Sequence, residues 1–209
     1  MKNKKTKEGA VHSALKKLYP NPVCALNYEK PHELLIAVRL SAQCTDKRVN
    51  LVTPALFGKY KSIDDFADAD IKDVEELVRS CGLFKTKARD IVNTCKILRE
   101  GYNYIIPDSI EELVKLPGTG RKTANLIAGI LYGKPAVVCD THVIRISNRL
   151  GLISTTDPVK AEKALRALLP ESESLDFCHR LVFFGREVCK ARNPDCNNCV
   201  LKEHCIFCG

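Results

Sequence analysis

Apolar positions recur at helical spacing along almost the whole chain. Val11, Ala14, Leu15 and Leu18 form one apolar stripe, and Ile71, Val74, Leu77 and Val78 form another. Ile91, Cys95 and Leu98 repeat the same step. Leu34, Leu35, Ala37 and Val38 make a nearly continuous apolar run, the signature of a buried helix, and Val49, Leu51, Val52 and Leu56 follow. Start signals agree with these helices. Ser62 stands before Asp65 and Ser109 before Glu112 at capping-box spacing, and Asp157 precedes Pro158 at a first helical position. The one β-like run, Ala136-Val137-Val138-Cys139, is too short and isolated to build a sheet. The pattern predicts an all-α protein of ten or so helices on short connections, with no internal repeat or low-complexity linker.

One interruption of that pattern carries chemistry. Leu116-Pro117-Gly118-Thr119-Gly120 separates two helical segments, and Lys122 opens the second. That helix, predicted from Arg121 to about Tyr132, climbs roughly 18 Å at 1.5 Å per residue. Gly133 and Pro135 stop it, and an extended run to Asp140 returns by about 18 Å. The spacing therefore predicts an amine, Lys122, and a carboxylate, Asp140, at the mouth of one hairpin. Gly118 and Gly120 let a ligand approach the backbone without meeting a Cβ, and the helix start beside Arg121 suits a phosphate. A P-loop is excluded by spacing. A dinucleotide fingerprint is excluded because Thr123 stands where its third glycine belongs and a helical pattern, not a strand, precedes. Taken alone, such a turn also merely joins helices, Lys122 also reads as a phosphate contact, and Asp140 also reads as the N-cap of a helix from Thr141 to Leu150.

Five of the eleven cysteines crowd the C-terminus: Cys189, Cys196, Cys199, Cys205 and Cys208. The first four read C-x6-C-x2-C-x5-C, four convergent soft ligands of the kind an iron–sulfur cluster or a structural zinc requires. The last four read as two CxxC pairs, a more zinc-like register. Disulfides are the ordinary alternative, disfavoured because a basic chain without a secretion signal belongs in a reducing compartment. The other six cysteines, at 24, 44, 81, 95, 139 and 178, lie among apolar residues as small hydrophobes.

LPGTGRKTA, then VCDTH, then C-x6-C-x2-C-x5-C, in this order and spacing, resembles the endonuclease III family of DNA repair glycosylases. The likeness runs from about His12 to Cys205. It implies a two-domain helix-hairpin-helix glycosylase fold with a C-terminal [4Fe-4S] cluster loop. A six-helix domain would occupy about residues 22 to 134, and a discontinuous helical domain residues 1–21 and 135–209, with the catalytic pair at the cleft between them. By the same resemblance Lys122 and Asp140 are catalytic, and Cys189, Cys196, Cys199 and Cys205 hold the cluster, with Cys208 outside the usual pattern. Gln43 in LSAQCTD and Leu83 in CGLFKTKA match residues inserted into the base stack. Gly118, Gly120 and Arg121 of the hairpin, and Lys190 and Arg192 between the first two cysteines, face the DNA backbone, whereas Asp195 departs from that loop's basic character. Asp46 and His142 match positions near the lesion pocket, and Lys85, Lys87 and Arg89 after Leu83 are read as phosphate contacts.

The implied activity is base excision of oxidised pyrimidines from double-stranded DNA, joined to cleavage at abasic sites through a lysine Schiff base and β-elimination. The chemistry needs a neutral amine on Lys122, favoured by desolvation, by the helix start or by Arg121. Bulk properties agree. Lys and Arg number 33 against 25 Asp and Glu, a formal net charge of +8, which points modestly to a polyanionic partner. No apolar run of about 18 residues spans a membrane. The basic start Met1-Lys2-Asn3-Lys4-Lys5 lacks an apolar segment after it, so no secretory signal is expected; a bacterial or archaeal source would make the chain cytoplasmic and nucleoid-associated, and a monomer is expected. Two other readings remain open: a monofunctional adenine-mismatch glycosylase, which usually lacks the hairpin lysine, and a noncatalytic helix-hairpin-helix DNA-binding protein with a redox-sensing cluster.

Overall fold

A computed structural model describes residues 2–208. Among them every regular element is helical, and the chain divides into two compact units, residues 24–132 and residues 1–23 with 133–209. The run 136–139 is extended and buried but pairs with no strand among the described residues. Its Ala136 N–H donates instead to Ser174 Oγ.

The 24–132 unit is built around helix α2 (Pro31–Ser41), whose Leu34, Leu35, Ile36, Ala37, Val38 and Leu40 are all buried. A helix apolar on every side must be covered on every side. The cover comes from α3 (Asp46–Lys59), α6 (Phe84–Gly101) and α8 (Arg121–Tyr132), with α4 (Ile63–Ala67) and α5 (Ile71–Val78) packed on α6. Ser62 caps α4 in the full reciprocal box with Asp65. The box expected at Ser109 is half made. Ser109 Oγ accepts the Glu112 N–H and starts α7 (Ile110–Leu113), but the Glu112 carboxylate turns away to the Tyr102 hydroxyl and Lys115. Two side-chain partners outcompete one backbone amide.

In the other unit α1 (Lys2–Leu18) and α9 (Thr141–Arg149) pack on α11 (Ser174–Glu187), and α10 (Pro158–Arg166) starts at the Asp157 cap that the Asp-Pro pair predicts. Arg180 of α11 is 2% exposed and donates its Nε to the Tyr19 carbonyl, which ties the end of α1 to α11 through a charged group that keeps a partner while losing water. A one-turn 3-10 helix at Lys202–His204 sits inside the cysteine-rich end.

Candidate active site and cluster loop

The hairpin is seated on a charge pair. Arg39 from α2 sends Nε and Nη2 to one oxygen of Asp90 on α6, at 2.9 and 2.7 Å. Gly118 passes directly over that pair with φ +70°, and a Cβ there would lie 2.1 Å from Arg39 Nε. Only glycine accepts both the left-handed backbone and the contact. The Thr119 N–H closes the turn onto the Leu116 carbonyl, and the Ala124 N–H bonds Gly120, so α8 begins at once. Arg121 and Lys122 are its first two residues, both exposed. First-turn amides have no acceptor within their own helix, and the dipole there favours an anion. Lys122 is exposed, so protein walls do not enclose its amine.

Asp140 lies in the second unit, where it is the N-cap of α9. Its Oδ1 accepts the Val143 N–H at 2.8 Å, so the cap needs one carboxylate oxygen and leaves Oδ2 over. Capping and chemistry are compatible in one side chain. His142 is half-buried, and burial pushes its pKa below the usual 6.5. It lies against α11: a Cβ on Gly185 would fall 2.5 Å from His142 Nδ1.

Gln43 and Leu83 occupy two exposed turns of the 24–132 unit, and both have left-handed backbone, φ 52° and 47°. Non-glycine residues hold that conformation only where surrounding contacts impose it. Lys87 lies between the segments that lead into these turns. It is fully buried, and its ammonium donates to the Leu40 and Cys81 carbonyls at 2.8 and 2.7 Å, joining the end of α2 to the 3-10 turn Arg79–Cys81. This corrects the reading of Lys87 as a phosphate contact: an amine with no exposed surface, spent on two carbonyls, does not reach DNA. Lys85 and Arg89 are exposed.

At the C-terminal end Cys189, Cys196, Cys199, Cys205 and Cys208 line one pocket, walled by Ile146, Leu150, Phe184 and Leu201, with the Cys208 thiol donating to Cys205 Sγ at 3.6 Å. Thiols gathered around an apolar pocket suit an iron–sulfur core. Lys190 and Arg192 are exposed on the loop between the first two cysteines. The Asp195 carboxylate folds back on the Asn198 amide groups at 3.2 to 3.4 Å, so much of its hydrogen-bonding capacity is turned inward.

Two residues that the sequence reading passed over organise this loop. Arg145 donates to the Cys189 carbonyl at 2.8 Å, and Arg149, one turn on, donates to Cys189 Sγ at 3.2 Å and to the Lys190 and Ala191 carbonyls. Arg149 also carries the Phe207 ring 4.2 Å from its guanidinium carbon, while its carbonyl accepts the Ile206 N–H. Their four-residue spacing on one helix was the available signal.

Comparison with known proteins places these features. Residues 36–171 match the HhH-GPD superfamily of base excision DNA repair proteins, and residues 189–205 match the iron-sulfur binding domain of endonuclease III. The chain is 44% identical to endonuclease III of Synechocystis sp. over 98% of its own length and 94% of that protein. It is 43% identical to endonuclease III of Bacillus subtilis, covering 90% and 86% of the two. It superposes on a non-covalent endonuclease III–DNA complex with a TM-score of 0.90 at 42% identity, covering 96% and 95% of the two chains. A trapped endonuclease III–DNA covalent intermediate gives the same TM-score and identity. The chain belongs to the endonuclease III family: it is a base-excision DNA glycosylase and abasic-site lyase with a [4Fe-4S] cluster, built on the helix-hairpin-helix fold.

Proposed function

We propose that the chain removes oxidised pyrimidines from double-stranded DNA and then cuts at the resulting abasic site, with Lys122 as nucleophile and Asp140 as its electrostatic and proton-handling partner. The observation that carries this reading is the exposed amine in the first turn of α8, directly after a hairpin that only glycine can form. The hairpin and the helix start hold a DNA phosphate, and the phosphate fixes the sugar within reach of the amine. As the base departs, C1′ gains positive character, which the Asp140 Oδ2 oxygen stabilises. The Lys122 nitrogen bonds to C1′ while the C1′–base bond breaks, and the base leaves with its electron pair and takes a proton. Loss of the amine proton and opening of the sugar give an imine. The imine acidifies the C2′ hydrogen; its removal expels the 3′ phosphate by β-elimination, and water releases the enzyme. Gln43 and Leu83 fill the space vacated by the extruded nucleotide, glutamine by hydrogen bonds to the orphaned base and leucine as a wedge. One copy of the chain supplies every group, so it acts as a monomer.

The four cluster ligands in this reading are Cys189, Cys196, Cys199 and Cys205. The matched iron-sulfur segment begins on the first and ends on the last of them. Those four residues would hold the cluster, which would supply a covalent frame for the loop that carries Lys190 and Arg192.

Borohydride tests the nucleophile. The native chain, mixed with duplex DNA containing thymine glycol or an abasic site, is expected to yield a covalent protein–DNA adduct. Lys122→Gln is expected to abolish the adduct and keep binding within a few-fold. Trapping and strand cleavage by Lys122→Gln at native rates would remove the assignment. Excision by the native chain with no adduct would make it a monofunctional glycosylase that uses water.

A further inference from the structure

The C-terminal pocket holds one thiol more than the proposed cluster requires. Cys208 lines it beside the four proposed ligands, and its thiol donates to Cys205 Sγ at 3.6 Å. Between these two cysteines the chain turns through Ile206 and Phe207, both exposed, at 68% and 56%. Burial does not fix that turn; contacts with α9 and the residue after it do. The Ile206 N–H donates to the Arg149 carbonyl at 2.8 Å, and the Phe207 ring lies 4.2 Å from the Arg149 guanidinium carbon. Ile206 also packs at Gly151, where a Cβ would lie 3.4 Å from Ile206 Cδ1. The same Arg149 donates to Cys189 Sγ at 3.2 Å. One residue thus sets the Cys205–Cys208 turn in register with the first cysteine of the loop.

A [4Fe-4S] core takes four cysteines, one at each iron. Two sulfurs in contact therefore address the same iron, and one holds it at a time. We propose that Cys208 is a reserve ligand for the iron that Cys205 holds, an inference that rests on the reading of Cys205 as the resident ligand. Exchange forms a bond from Cys208 Sγ to that iron and breaks the bond from Cys205 Sγ. Metal is bound by the thiolate, so the incoming thiol must give up its proton. That proton passes to Cys205 along the thiol contact already joining the two sulfurs, so charge and electron count are unchanged. Oxidation of the Cys205 sulfur then leaves a second soft donor beside the same iron. The zinc-like register makes a different demand: there Cys205 and Cys208 are ligands at once, whereas here they alternate.

The test measures iron, sulfide and visible sulfur-to-iron absorption in anaerobically purified chains, with alanine as a replacement that offers iron no donor. Cys205→Ala and Cys208→Ala are each expected to keep iron within about twofold of the native chain, and their double replacement and Cys189→Ala to lose at least about fivefold. Cys205→Ser, nearest in size to the native residue, is expected to keep iron as Cys205→Ala does. Iodoacetamide then maps the thiols. In the native chain Cys208 is expected to be alkylated and Cys205 protected. In Cys205→Ala, Cys208 is expected to be protected until the iron is stripped. Loss of iron from both Cys205 single variants, to the level of the double, would overturn the reserve role and leave Cys205 as a ligand. Alkylation of Cys208 in iron-loaded Cys205→Ala would overturn it as well. Iron kept by the double variant, or Cys205 alkylated in the native chain while Cys208 is protected, would overturn the ligand assignment beneath the proposal. Protection of both thiols in the native chain, with metal lost from either single variant, would place both on the metal at once and overturn the alternation.

Discussion

Asp140 caps a helix and, in the proposed reaction, also serves the chemistry. Its Oδ1 accepts the Val143 N–H and starts α9, while the reaction asks for the charge of the whole carboxylate. The two duties separate by substitution. Asp140→Asn keeps an oxygen acceptor for the cap and removes the charge. Excision is expected to slow by roughly 100-fold or more, with stability changed by less than about 1 kcal/mol. Asp140→Ala removes both, and is expected to add a capping loss of about 1 kcal/mol in chemical denaturation. Equal excision by the Asn variant and the native chain would leave Asp140 as a cap alone. The cap was legible beforehand, because a helix start, a glycine stop and a return of known length are local features. Lys87 was not legible. Lys85, Lys87 and Arg89 alternate along one basic stretch. What buries the middle one is a pair of carbonyls, one of them 47 residues away in the chain, that only the packed fold brings to it.

At the scale of elements, the hairpin turn depends on what lies beneath it. The need for glycine at 118 was readable as conformational freedom, but the second reason, the Arg39–Asp90 pair under it, joins α2 to α6 and has no local trace in sequence. Gly118→Ala therefore meets two penalties. The left-handed φ costs about 1 kcal/mol or more for any residue with a Cβ, and the methyl must displace the Arg39 side chain. A loss of about 2 kcal/mol or more in unfolding free energy is expected, along with weaker DNA binding; a loss under about 0.5 kcal/mol would mean the turn adapts. Helix α2 also carries a pH-dependent contribution. His32 is 9% exposed, lies edge-on to Phe66 and has a buried Nε2 without a hydrogen-bond partner among the described residues. Burial lowers its pKa from the usual 6.5. The folded chain then resists a proton that the unfolded chain accepts, so the stability His32 contributes is present above pH 6.5 and is lost as pH falls through its lower folded value. Denaturation at pH 7.5 and pH 5.5 is expected to show a larger acid loss for the native chain than for His32→Leu. Parallel losses would remove His32 from the acid response.

For the whole molecule, the order of the motifs was plain in sequence, whereas the framework of the cluster loop was not. C-x6-C-x2-C-x5-C and the Cys196–Cys208 register are both open in sequence; the iron-sulfur segment that ends at Cys205 supports the first, while Cys208 lines the same pocket. The grip of Arg145 and Arg149 on Cys189 needed α9 and the loop folded together. In the proposed reading, cluster, loop and DNA affinity are connected in one chain of cause. Phosphate contacts release counterions, and each contributes about −0.9 to the slope of log affinity against log salt. Replacing Lys190 and Arg192 together by Gln is expected to flatten that slope by about 1.8, with cluster iron retained. Cys208→Ser, which lies beyond the proposed ligands, is expected to keep both iron and slope. Cys189→Ser removes the ligand at the loop's start and is expected to lose cluster iron and to flatten the slope by a similar amount, although both basic side chains are still present. A Cys189→Ser chain without iron but with the native salt slope would show that the loop holds its shape through Arg145 and Arg149 alone. Loss of iron from Cys208→Ser but not from Cys189→Ser would move the cluster to the other register.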